Sequence, residues 1–459
     1  MGDPEIPPIA LDRSGAVPLG VQLATALRAA AATGVLRVGD RLPSTRALAV
    51  TLGISRTVTA AAYDQLLAEG WVAGRRGSGT YVTAAPPSVP PSVPPRPAPR
   101  APSAAGREGL VDLRAGSPCI EALDRSAWRR AWRAGADLPA DAYPRPEGDQ
   151  AFRTAVVDHL LRHRGLPADP AEVLATAGST AAIAELARVL PRGGAVAVEE
   201  PGYRRAAAAL AAGGLDVVPV RVDEHGLDVE ALPTGLVAVY CTPAHQFPLG
   251  ARLPANRRVA LVERARAEGM LIIEDDYDGE LRYDVAPLPL LAALGPDVVV
   301  HLGTASKLLT PTLGAGWMVA PPAVRAAVLD HRDRTGVRPS PAGQRVLAAL
   351  AAHGDLSRHL RRLRCELANR RVRVVTALAG AGLPVRGDAA GAHLVVPLPR
   401  RDTEHAALAA AAARGVALDG LTRHYGGSAP RAGLVLGYAG PARADLEPAL
   451  DVVADVLRR

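Results

Sequence analysis

The run GTASKLLTP, residues 303 to 311, contains Lys307, the single lysine of the 459-residue chain. Of the 53 basic residues, the other 52 are arginine. Arginine replaces lysine well as a surface cation. It cannot replace lysine as an amine nucleophile, because a guanidinium keeps its proton at any relevant pH. A lysine that is desolvated, or set beside another cation, sheds its proton and can form a Schiff base with a carbonyl group. Lys307 is therefore a candidate for covalent work. The plainer reading is one solvated lysine left by drift, and the neighbours decide between the two.

A Schiff-base lysine usually serves a carbonyl cofactor, and pyridoxal 5′-phosphate (PLP) makes three further demands. It needs an acid for the pyridine nitrogen, hydroxyls and backbone amides for the phosphate, and a cover for the ring face. All three types precede or flank Lys307. ATAGSTAAIAELARVL is a small-residue turn opening a helix, with Gly178, Ser179 and Thr180 placed to cradle a phosphate. EEPGYRRA offers Tyr203 as a stacking ring. LIIEDDYDGELRY sets Asp275 and Tyr277 just past an apolar strand, where open α/β sheets bind ligands. Thr304 and Ser306 flank the lysine with hydroxyls. Taken singly, a GST turn is a helix cap, a tyrosine is packing, and DDYD is a solvated acidic turn.

These residues need elements to hold them. After residue 108, apolar stretches alternate with helix-length segments: GGAVAVEEP, LVAVYCTP, GMLIIEDDY, DVVVHLGTAS and GAGWMVAP. Strands separated in this way predict a parallel α/β sheet. From about residue 340, long helices such as LSRHLRRLRCELANRR and two further strands, AHLVVPLP and LVLGYA, suggest a second, smaller lobe. Hydrophobic residues make up 48% of the chain, ample for large cores, and the length allows two to four domains. Three scattered cysteines form no metal-type cluster and fit a reducing cytoplasm, so no metal is expected. The leader MGDPEIPPIALDRSG has neither the basic region nor the apolar core of a signal peptide. The alanine-rich runs are too interrupted to span a bilayer, so no membrane partner is expected.

Residues 83–108, TAAPPSVPPSVPPRPAPRAPSAAGRE, are proline-rich and predict a semi-extended linker. The linker divides a module at 18–82 from a body at 109–459. The module reads as helix, helix, tight turn, helix, then two short strands around a glycine-rich turn, with Ser44 and Ser55 as helix caps. That order is a winged helix-turn-helix, whose third helix enters the DNA major groove. Ser55, Arg56 and Thr57 stand at the start of that helix and Arg46 at the start of the second, while Arg75 and Arg76 lie on the wing. Eight arginines against six acids over residues 1–82 give the module only a small positive charge, so charge alone does not establish DNA binding.

Residues 34–82 resemble the GntR-type winged helix in the marks LPS-x-R, LG-x-SR, AY-x-x-L and GSGT-x-V. The body resembles fold-type I aminotransferases. The whole chain is most similar to the MocR subfamily of GntR regulators, through AGSPCIEALDRSAWRRAWR, EEPGYRR, YCTPAHQFPLG, IIEDDYDGELRY, LGTASKLLTP and HLRRLRCELANRR. The resemblance implies Lys307 as the Schiff-base residue, Asp275 on the pyridine nitrogen and Tyr277 on the ring hydroxyl. It implies Tyr203 stacked on the ring, and Ser179, Thr180, Thr304 and Ser306 around the phosphate. Arg205 would meet an effector carboxylate. His245 and Gln246 stand where the subfamily departs from enzymes carrying Asn-Pro-x-Gly. Two departures are visible. Gly314 occupies the place of the family's phosphate-binding arginine, which implies weaker PLP binding. Val435 occupies that of its carboxylate-binding arginine, with Arg431 as a substitute. The implied function is a cytoplasmic, PLP-dependent transcriptional regulator: a head-to-tail homodimer that binds a double-stranded DNA operator and senses an amino compound or PLP itself. The alternatives are a working aminotransferase with an accessory DNA module, or a body that no longer holds PLP and serves as a dimerisation scaffold.

Overall fold

The computed structural model describes residues 9–15, 17–75, 79–83, 109–137, 139, 143–283 and 289–458. Arg76, the side chain of Arg75, and all of the proline-rich linker beyond Thr83 lie outside the described residues. The chain forms two compact units, residues 1–106 and 107–459.

In the first unit, helices α1 (Leu19–Ala32), α2 (Thr45–Leu52) and α3 (Arg56–Ala68) pack on a small sheet. Ser44 caps α2 by accepting from the Ala47 N–H at 3.1 Å, and Ser55 caps α3 by accepting from that of Val58 at 3.3 Å. Gly53, at φ +61°, ends α2 in the left-handed region and so makes the tight turn into α3. Strands β1 (Arg41–Leu42), β2 (Val72–Arg75) and β3 (Gly79–Val82) form a sheet in the order β1-β3-β2. The sequence suggested two wing strands; β1 is the third, recruited from the segment before α2. Leu23, Leu27, Leu48, Ala62, Tyr63 and Leu66 fill the core between the helices.

The second unit opens with β4 (Val111–Asp112), α4 (Arg125–Ala136) and α5 (Gln150–Arg164). There follow β5 (Val173–Thr176), α6 (Ser179–Val189), β6 (Ala195–Glu200), α7 (Arg204–Ala212), β7 (Asp216–Asp223), β8 (Gly226–Leu227) and β9 (Leu236–Cys241). Next come α8 (Ala255–Glu268), β10 (Leu271–Asp276), α9 (Leu291–Leu294), β11 (Val299–Thr304), β12 (Gly316–Val319) and α10 (Pro322–Thr335). The eight strands β5 to β12 make one sheet, ordered β5-β12-β11-β10-β9-β6-β7-β8. Its centre, β7-β6-β9-β10-β11, is parallel, as the alternation of strands and helices predicts. The edges correct that expectation, because β12 runs antiparallel to both β11 and β5. The link from Thr304 to Gly316 holds only a 3-10 turn at Pro311–Leu313, whereas a parallel return needs a crossover, usually a helix.

Helices α11 (Pro341–Ala352) and α12 (Asp355–Gly380) lead into the C-terminal lobe. There β13 (His393–Leu398), α13 (Arg401–Ala413), β14 (Val416–Ala417), β15 (Ala432–Gly437) and α14 (Arg443–Arg458) complete the chain. Strands β13 and β15 pair antiparallel, and β14 pairs in parallel with β4 from the start of the unit. Among the described residues no helix is long and apolar enough to cross a membrane.

Candidate cofactor and effector site

The carboxyl ends of the central parallel strands face a cavity of about 570 Å³. Its lining includes Gly178, Ser179, Thr180, Asp275, Thr304 and Lys307. Tyr203, Arg205, Tyr277 and Ser306 line the same cavity, so every residue that the sequence nominated for the cofactor or effector is brought together there except Arg431.

Strand β10 explains the placing of the acids. Its residues alternate between faces, so Asp275 points opposite to Glu274 and Asp276. Asp276 is buried in a two-bond ion pair with Arg164 of α5, at 2.6 and 2.9 Å. Glu274 accepts from the N–H groups of Leu291 and Ala292 at 2.7 and 3.1 Å. Asp275 accepts at Oδ2 from the hydroxyl of Tyr240 at 2.8 Å, while its Oδ1 is buried with no hydrogen-bond partner. Burial raises the Asp275 carboxyl to about 6; the Tyr240 bond, the Lys307 charge and the nearby Ser179 hydroxyl oppose the rise. Tyr240, at the end of β9, opens the stretch YCTPAHQFPLG but was given no role from the sequence.

Lys307 follows β11 and donates from Nζ to the carbonyl of Gly116 at 2.6 Å. Burial pulls its amine below the ordinary lysine value, against the opposing charges of Asp278 and Asp275. That is the direction a nucleophilic amine requires. Nearby, Thr304 donates its hydroxyl to Ser306 Oγ at 3.0 Å and accepts from the Ser306 N–H at 3.2 Å. Gly178 sits at φ +117°, and a Cβ there would lie 3.4 Å from Thr304 Oγ1. Its N–H is engaged by Thr176 Oγ1 at 3.2 Å. The N–H groups of Ser179, Thr180 and Ala181, in the first turn of the 11-residue α6, are therefore the ones left for an anion.

Aromatic rings close one side. Tyr203 bonds Thr180 Oγ1 through its hydroxyl at 3.0 Å and meets Phe247 edge-on at 6.0 Å. Phe247 also meets Tyr277, His393 and His424. It is one of only two phenylalanines in the chain and lies in the stretch YCTPAHQFPLG, but no role was assigned to it from the sequence. Gln246 braces this side of the cavity, because its amide donates to the carbonyls of Pro201 and Phe247 at 2.9 and 2.6 Å. It also donates to buried Glu199 at 3.2 Å, whose carboxyl burial raises to about 7. Tyr277 donates to the carbonyl of His245 at 2.9 Å.

Arg114, Arg204 and Arg423 line the cavity besides Arg205. Arg114 and Arg423 are paired with Asp112 and Asp419. Arg423, in the turn Leu421–His424, carries no motif and was missed. Arg431 is not a substitute for the family's carboxylate ligand. It donates to the carbonyl of Val222 at 2.5 Å and is not among the cavity residues. Val435 is fully buried with Val395, Leu421 and Tyr425.

On the first unit, Arg46, Ser55, Arg56 and Thr57 are all exposed at the starts of α2 and α3. Among the described residues neither Arg46 nor Arg56 enters an ion pair, which leaves both free for phosphate or base edges.

Residues 19–82 match the model of bacterial regulatory proteins of the gntR family, and residues 108–425 match that of aminotransferase class I and II. The chain is 35% identical to the HTH-type pyridoxine biosynthesis transcriptional regulator PdxR of Corynebacterium glutamicum, over 98% of each chain. It is 32% identical to the probable rhizopine catabolism regulatory protein MocR of Rhizobium meliloti, over 94% of this chain and 92% of that one. Among solved structures it is similar to a kynurenine aminotransferase of Pyrococcus horikoshii, with a TM-score of 0.69 and 25% identity over 76% of this chain and 91% of that one. An archaeal alanine:glyoxylate aminotransferase shares the fold at a TM-score of 0.71 and 23% identity, over 76% and 90%. The chain belongs to the MocR-type group of GntR transcriptional regulators, DNA-binding proteins in which a winged helix precedes a body with the PLP-using aminotransferase class I and II fold.

Proposed function

We propose that the body holds PLP with Lys307 as its covalent partner, and that PLP itself is the signal that alters DNA binding. One observation carries the reading: Asp275 lines the same cavity as the only lysine and keeps Oδ1 buried without a partner. A carboxylate so placed is satisfied by a cationic N–H, and a pyridine nitrogen provides one. The other residues fit the group. Tyr277 would meet the ring hydroxyl and Tyr203 would cover the ring. The amides of Ser179 and Thr180, with the hydroxyls of Thr180, Thr304 and Ser306, would hold the phosphate. When bound, PLP supplies a ring that withdraws electrons from an attached amine.

The choice of PLP over an amino acid as signal rests on two positions. Val435 stands in an apolar cluster where the family places its carboxylate-binding arginine, so that strand offers no cation to an α-carboxylate. Gly314 stands at φ +59° at the end of the turn after Lys307, a conformation that favours glycine over arginine. Without that arginine the phosphate is held by hydroxyls and amides, and PLP binds more weakly than in relatives with the cation. Weak, reversible binding suits a sensor of free PLP. The relative matched over 98% of its length is named for pyridoxine biosynthesis, which points the same way. An amino compound that reacts at Lys307 with its carboxylate near Arg205 is the other form the signal can take.

In this reading the chain works in the cytoplasm as a head-to-tail homodimer. Arg56 and Thr57, behind the Ser55 cap, face the major groove, and Arg46 and wing residues Arg75 and Arg76 hold the backbone. PLP shifts DNA affinity only if it binds the two body conformations unequally. The test uses duplexes selected by the protein from a random pool. Added PLP should change their affinity by about fivefold or more, the lower range of allosteric coupling, and the Lys307→Ala protein should not respond. Equal affinity with and without PLP contradicts the proposal.

A further inference from the structure

Behind Tyr277 lies a buried polar chain that the proposed PLP contacts do not use. His245 Nδ1 is 2.9 Å from Asp278 Oδ2 and 3.2 Å from the Tyr277 hydroxyl. The imidazole of His245 stands 4.7 Å from that of His393 on β13, and the side chains of His245, Asp278 and His393 are all at most 4% exposed. His245 Nε2 is buried with no partner. A proton there would be a buried donor without an acceptor, so it stays off. The single ring proton then belongs on Nδ1, where the Asp278 carboxylate can only accept. Tyr277 therefore cannot give its proton to Nδ1. Its one O–H meets the His245 carbonyl here and would turn to a bound ring oxygen, while the Nδ1–H, shared between Asp278 and Tyr277, leans on the phenol oxygen from behind.

The geometry points to His245 as a positioning residue: its Nδ1–H, anchored by Asp278, polarises Tyr277 and so strengthens the bond that Tyr277 offers to the ring oxygen of the cofactor. Donors in series polarise one another, so a phenol that accepts a hydrogen bond donates more strongly. A stronger donor at the ring oxygen favours the form of the bound group that has lost the proton at Lys307 Nζ. The charged and titratable groups around His245 are Asp278, Tyr277, His393 and Arg282, with Arg164 beyond Asp278. His424 and Lys307 act in turn on His393, which burial keeps neutral. The inference rests on PLP occupying the cavity.

The readout is the pH midpoint of the visible band of the PLP-loaded full-length protein, after dialysis against a chelator so that no metal at these three side chains contributes. Tyr277→Phe removes the direct bond and should raise the midpoint by roughly 1–2 units, the worth of one hydrogen bond to a charged oxygen. His245→Phe keeps a ring in the same space but loses Nδ1–H, and should raise it by about 0.3 unit. His245→Asn loses the ring but sets an amide donor near the Nδ1 position, and should restore the wild-type midpoint. The double variant His245→Phe with Tyr277→Phe should match Tyr277→Phe alone, because His245 acts through Tyr277. A packing role predicts the reverse, with Phe harmless and Asn disruptive, and that result overturns the inference. So does an additive double variant. If the wild-type protein shows no PLP band at all, the inference falls with the PLP reading; if it shows one whose midpoint His245→Phe leaves unmoved, only the inference falls.

Discussion

The two units of this chain treat charge in opposite ways. The winged-helix unit leaves Arg46 and Arg56 exposed and unpaired among the described residues. The body buries Asp275, Asp276, Glu274, Glu280 and Glu199 around its central strands and pairs most of them. In water a charge interacts weakly, additively and with strong salt dependence. In a dry sheet it is costly unless partnered, and its pKa moves until the cost is met. The first unit is therefore built to make contacts with a polyanion elsewhere. In the second, Asp275 Oδ1 is among the few buried carboxylate oxygens without a partner, and under the proposed function the pyridine nitrogen of PLP would meet it.

The largest effect should come from breaking a buried pair. Arg164→Ala leaves Asp276 charged, buried and without its two bonds. We expect a loss of about 3–5 kcal/mol in urea unfolding of the body. A loss below about 1 kcal/mol would mean that water reaches Asp276 and that the contrast between the units is overstated.

Next in size is a pH effect. The folded Asp275 carboxyl is raised from 3.8 to about 6. Its stabilising contribution is therefore complete below pH 4 and is lost as the pH rises through 6, on the order of 3 kcal/mol. Asp275→Asn in PLP-free protein should remove that part of the slope. Loading wild-type protein with PLP should reduce it as well, because a pyridinium partner makes the charged carboxylate welcome. Parallel pH profiles for the variant and the wild type would show that Asp275 is already satisfied.

On the DNA side the effects are smaller and salt-dependent. Arg56→Ala should cost about 1–3 kcal/mol on the selected duplex and relax sequence preference. Arg46→Ala should weaken selected and random duplexes alike and flatten the salt slope by roughly one. Titrations at several salt concentrations separate the two. The smallest change is Ser55→Ala, which removes the cap bond to Val58 and should cost ~1 kcal/mol of stability in the first unit.

The same contrast sets how much of the fold was legible in the residues alone. In the first unit the signals are local: Ser44, Gly53 and Ser55 mark helix ends within a few residues of where they act. Strand β1 escaped because two residues carry no periodicity, and its partner Tyr81 is far along the chain. In the body, the strand ends and the residues that line the cavity were legible because most sit beside an apolar run. What failed were contacts made across the fold. Tyr240 reaches Asp275 from the neighbouring strand, and β4 pairs with β14 about 300 residues away. The position of Arg431 four residues before Val435 suggested a substitute cation, yet Arg431, just ahead of β15, reaches the Val222 carbonyl instead. Strand direction failed at β12 for a similar reason, since an apolar run gives the strand and not its sense.

The most direct test is chemical. Full-length protein loaded with PLP should show a visible band that borohydride abolishes, and peptide mapping after reduction should find the pyridoxyl group on Lys307. A Lys307→Ala protein that keeps the reducible band, or a wild-type protein that never acquires one at saturating PLP, would contradict the account.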